Sequence, residues 1–96
     1  MNPDFVELLR AFNAADVRFL VVGAYAVTFH TRPRATADID LWVEPTPNNA
    51  PNVIQALESF GAPLHEVTES DFAQPGITFQ IGLAPRRIDV LTEPAG

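Results

Sequence analysis

The residues best suited to chemistry are the carboxylates of Asp38-Ile39-Asp40-Leu41. From Asp38 to Glu44 the chain alternates, with Ile39, Leu41 and Val43 on one side and Asp38, Asp40, Trp42 and Glu44 on the other. Residues i and i+2 of a strand point the same way, so Asp38 and Asp40 project together. Two unit charges ~4 Å apart repel by about 4 kcal/mol at an effective dielectric near 20. A solvated strand face tolerates such a pair, but a third carboxylate makes a purely structural account harder. Asp89 stands between Ile88 and Val90 on another alternating run and also faces away from the buried side. If the two strands are neighbours, three carboxylates converge. Hard divalent cations take oxygen ligands of this kind, and Mg²⁺ usually shares them with substrate phosphates. The plain alternatives are a solvated face for Asp38 and Asp40, and an ion pair with Arg34, Arg86 or Arg87 for Asp89.

Two features upstream suit a phosphate. Val21-Val22-Gly23-Ala24 takes a strand directly into a helix. Glycine there permits close backbone approach, and a helix N-terminus offers N–H groups and partial positive charge to an anion. The loop Arg32-Pro33-Arg34 can bring cations to the same place. Each feature is weak alone; Gly23 can simply end a strand, and the arginines can be exposed. Trp42 shares the carboxylate face and can stack on a base or cover a helix. Tyr25 suits nucleotide or core equally, His30 a helix end, His65 a loop, and Glu44 the rim.

These residues need elements to hold them. Phe5, Leu8, Leu9 and Phe12 form one helical stripe, with Pro3 at the first position and Asn2 as cap. Arg18–Val22 reads as a buried strand, and Ala24–His30 as a short helix. After the Asp38–Glu44 strand and a Pro/Asn linker, Ala50–Phe60 reads as an amphipathic helix with Pro51 in its first turn and Gly61 at its end. Between Ala62 and Gly76 a short strand near His65–Val67 and one helical turn near Ser70–Ala73 are expected. Ile77–Leu83 and Arg87–Leu91 alternate as two further strands. The expected order is α-β-α-β-α-β-β. The fold class is α+β, in two layers, with helices mainly on one face of a mixed sheet.

Composition narrows the function classes. A chain of 96 residues suits one domain, here residues 1–96. Its 12 acidic residues against six arginines and no lysine give a net charge of −6, which disfavours general nucleic-acid binding. No apolar run approaches bilayer length, and Met1-Asn2-Pro3-Asp4 lacks the basic start of a signal peptide. Cysteine is absent, which excludes disulfides and thiolate metal sites. By elimination, a cytoplasmic protein away from membranes is expected.

Taken together, Gly23-Ala24-Tyr25-Ala26-Val27, His30, Pro33-Arg34-Ala35-Thr36, Asp38-Ile39-Asp40-Leu41 and Arg87-Ile88-Asp89-Val90-Leu91 resemble the signature of polymerase-β-type nucleotidyltransferases. The nearest branch is the small bacterial and archaeal one, with minimal nucleotidyltransferases and toxins of toxin–antitoxin and abortive-infection systems. The resemblance runs from Phe19 to about Glu93. It implies Mg²⁺-dependent transfer of a nucleoside monophosphate from an NTP to a hydroxyl of a protein, a tRNA end or a small molecule. Asp38, Asp40 and Asp89 would be the catalytic metal carboxylates, with two Mg²⁺ ions beside bound NTP. Gly23, Ala24, Arg34 and Thr36 would bind the nucleotide. An antitoxin or a second copy would be the partner.

Two departures stand out. The family usually has Gly-Ser or Gly-Gly where this chain has Gly23-Ala24, so no hydroxyl reaches the phosphates from that position. Family members also commonly continue into helices that shape the acceptor site, so a core truncated at its C-terminus, a remnant, or a unit completed by a partner is expected. These departures keep a second expectation open, a catalytically silent module of the same fold acting in protein association.

Overall fold

The computed structural model describes residues 3–22, 39–82 and 87–92. The first helix, α1 (Pro3–Ala14), buries Phe5, Leu8 and Phe12, the stripe its periodicity implies. Its end is specific. Val17 N–H donates to Phe12 O (2.9 Å) and Asp16 N–H to Asn13 O (3.2 Å), with Asp16 in the left-handed region at φ 58°. This is a Schellman closure, in which a residue past the helix turns left-handed and satisfies the last carbonyls. Aspartate tolerates that conformation better than most non-glycine residues. The chain then enters β1 (Phe19–Val22) at once, and Phe19 meets Phe12 edge-on at 5.1 Å between ring centroids.

The second strand, β2 (Ile39–Val43), leads through a polar turn into α2 (Ala50–Phe60). Ala50, Val53, Ala56 and Leu57 are its buried face. Gly61 ends it at φ 96°, donating to Leu57 O and Glu58 O at 3.0 Å. One turn of helix, α3 (Glu69–Phe72), drives Phe72 fully into the core, edge-on to Phe79. The strands β3 (Thr78–Ile81) and β4 (Ile88–Leu91) complete the sheet, and Gly82 at φ 80° stops β3.

The strand order is β1-β2-β4-β3. The central pair β2–β4 is parallel, and each edge strand runs antiparallel to its neighbour. The sheet is therefore mixed, as expected. One face, carrying Ile39, Leu41, Val43, Ile88 and Val90, joins the buried stripes of α1 and α2 in a single core. The architecture is α+β with helices against that face.

Among the described residues the order is α-β-β-α-α-β-β. The helix expected over Ala24–His30 lies outside them. The strand expected near His65–Val67 does not form. His65 and Glu66 sit in a turn that Val67 N–H closes onto Leu64 O at 3.4 Å. Only Val67 of the three packs against the core, while His65 and Glu66 are exposed, so there is no alternating face to favour pairing over a local turn.

Candidate functional site

The parallel β2–β4 register aligns Ile39 with Ile88, Asp40 with Asp89, Leu41 with Val90 and Trp42 with Leu91. The first and third pairs are buried in the core. Strand alternation therefore puts Asp40 and Asp89 together on the opposite face, on strands ~4.8 Å apart. Val22 and Gln80 extend this row across the edge strands. The next row is Leu20, Trp42, Leu91 and Thr78. A carboxylate pair thus lies beside an indole, with both carboxylates half-buried.

Two like charges at ~5 Å repel by roughly 3 kcal/mol at an effective dielectric near 20. A cation stands against them. Arg87 Nε lies 3.2 Å from Asp89 Oδ1. Both atoms are shielded from solvent, yet they lack hydrogen-bond alignment, so the contact is an ion pair only. Arg87 precedes Asp89 by two residues and shares its face. Its carbonyl accepts from Ile39 N–H at 3.1 Å, which ties the main chain at this point to β2. Of the ion pairs considered for Asp89, the one with Arg87 forms.

Trp42 carries a second feature of this face. Its indole Nε1 is buried and has no hydrogen-bond partner among the described residues. A donor taken out of water without a partner costs about 1–3 kcal/mol. Leu20, its neighbour across β1, is 59% exposed.

The pairing of β2 with β4 thus meets the condition that alternation left open and brings Asp40 and Asp89 together. Asp38, Gly23, Ala24, Arg34 and Thr36 lie outside the described residues, as do Arg32, His30, Tyr25 and Arg86. Among the described residues no three of His, Cys, Asp and Glu gather in a metal-sized group. Two hard oxygen ligands on adjacent strands still fit Mg²⁺ in kind, since it is commonly held by one or two carboxylates with phosphates and water completing the shell.

Glu44, expected at the rim of the carboxylate face, stands at the far end of β2. It pairs with Arg18 at 3.6 Å and accepts from Thr46 Oγ1 at 3.1 Å. These residues line a polar groove of about 600 Å³ with Asp16, Asn48, Asn49 and Asn52, at the end of β2 away from Asp40. Asn49, expected in a linker, is buried there. Its Oδ1 accepts from Arg18 N–H at 2.7 Å, and its Nδ2 donates to Arg18 O (3.1 Å) and Glu44 O (3.0 Å). The amide stands in for a strand neighbour and joins β1, β2 and α2. An Asx residue just before a helix with Pro in its first turn is the one sequence cue to it.

No family model, no curated protein and no solved structure matches the chain. Among the described residues no helix is long and apolar enough to cross a membrane.

Proposed function

We propose that this chain is the nucleotide- and Mg²⁺-binding core of a cytoplasmic polymerase-β-type nucleotidyltransferase. The observation that carries the reading is Asp40 facing Asp89 across the parallel β2–β4 pair. Two half-buried carboxylates side by side destabilise a protein unless a cation joins them, and a metal-dependent site is one reason to keep both.

In this reading Asp38, Asp40 and Asp89 are the carboxylates of the site, and Gly23, Ala24, Arg34 and Thr36 hold the triphosphate. Two Mg²⁺ ions, when bound, neutralise the phosphates and stabilise the attacking and leaving oxygens. Asp89 orients the acceptor hydroxyl, and its strand neighbours hold that carboxylate in place. The NTP loses pyrophosphate, and the acceptor gains a nucleoside monophosphate. The acceptor is a protein, a tRNA end or a small molecule. A toxin–antitoxin setting, with an antitoxin or second copy as partner, goes with the family resemblance alone.

One observation favours the second reading, a silent module acting in protein association: Arg87 already neutralises Asp89. Calorimetry with ATP and GTP in the presence of Mg²⁺, on the wild type and Asp38→Ala, separates the two. Metal-dependent, saturable binding lost in the variant supports the enzyme, and no nucleotide binding supports the silent module. Release of phosphate in place of pyrophosphate would make the protein a hydrolase with the same carboxylates.

A further inference from the structure

The Arg87–Asp89 contact bears on how this site is regulated. We infer that Arg87 is the resident counter-ion of the Asp40–Asp89 pair and competes with a divalent cation for Asp89. The inference rests on the metal-binding reading above.

Three observations carry it. The register makes Asp40 and Asp89 direct neighbours, and a cation beside them relieves the repulsion between their charges. Arg87 Nε reaches Asp89 Oδ1 at 3.2 Å from the same face of the same strand, inside the space a cation bound to that oxygen would use. The exposures differ: the Asp89 side chain is 14% exposed and that of Arg87 36%. The carboxylate is the enclosed partner, and the guanidinium is the one with a route to solvent. The Arg87 main chain is tied to β2 by its bond from Ile39 N–H, so the side chain is the part that moves in the exchange.

A displaced Arg87 keeps its charge, because a guanidinium does not deprotonate in proteins. It stays at the rim of the site, where its planar donors suit the oxygens of a phosphate. Metal and anion binding are thereby coupled: the cation frees Arg87, and the anion holds it away from Asp89. The metal-free protein binds cations more weakly than its carboxylates alone would, since only the fraction with Arg87 swung out competes.

The test uses the full chain and Mn²⁺ as probe, with free ion measured by electron paramagnetic resonance. Arg87→Gln should bind Mn²⁺ about five-fold more tightly than wild type, the size expected of a partly exposed ion pair near 1 kcal/mol. Arg18→Gln removes the same charge near Glu44, beyond a Debye length from the site, and should change affinity by less than about two-fold. Equal or weaker binding in Arg87→Gln, with binding still lost in Asp40→Asn, overturns the competition and leaves the metal site standing. Absence of Mn²⁺ binding in wild type and Arg87→Gln alike overturns both. The wild type gives an independent readout that needs no variant to fold. The Arg87 Nε proton should be protected from solvent exchange without metal and lose protection at saturating Mg²⁺. Protection that persists with Mg²⁺ bound refutes the displacement.

Discussion

Asp40 and Asp89 are direct partners in the register of two parallel strands and share the face turned away from the core. They come from segments about fifty residues apart, and each is flanked by fully or nearly buried aliphatics that hold its strand in place. Asp40→Asn removes one of the two charges while keeping the shape. Nucleotide transfer should fall to background, while the melting temperature of the metal-free protein stays unchanged or rises. Thermal melts beside a pyrophosphate-release assay check both halves, and a large fall in stability would make Asp40 structural.

Trp42 buries an indole N–H with no acceptor among the described residues. Phenylalanine at this position keeps most of the ring and removes the unsatisfied donor. Trp42→Phe should therefore leave stability unchanged or raise it by up to about 1 kcal/mol, because relief of the donor's desolvation offsets the lost ring area. Urea unfolding at equal m-value measures this. A loss above about 1 kcal/mol would show that packing of the larger ring dominates.

Asn49 makes three hydrogen bonds from a buried side chain, two of them to Arg18. Asn49→Ala should cost about 3 kcal/mol, near 1 kcal/mol for each bond. Asn49→Asp should cost at least as much, because it sets an oxygen against carbonyls that the native amide nitrogen satisfies. Denaturant midpoints for the two variants decide it; if alanine is tolerated, water has replaced the amide.

Gly61 adopts φ 96° with open space where a Cβ would project. The conformation alone resists substitution. Gly61→Ala should cost about 1–2 kcal/mol, the strain of a left-handed L-residue, with no steric addition. A much larger loss would mean that the end of α2 is more crowded than this.

The sequence carried the local rules well. Helical stripes located α1 and α2 almost to the residue, and period-two alternation located β2, β3 and β4, because both patterns are imposed by the backbone's own geometry. A continuous apolar run located β1 but not its surroundings: expected to be buried, it is an edge strand that leaves Leu20 and Val21 exposed. Alternation likewise put Asp40 and Asp89 away from the core before any pairing was known. It overreached at His65–Val67, where three residues are too few to separate a strand from a turn.

Pairing is a different kind of information. That β4 inserts between β2 and β3, in the register that sets Asp89 beside Asp40, depends on contacts between segments far apart in the chain. The same holds for the Arg87–Asp89 ion pair, and for Asn49 bridging β1 to β2. A chain's local pattern states which face each side chain takes. Which faces then meet is settled by burying all the apolar stripes at once, a condition no single segment contains.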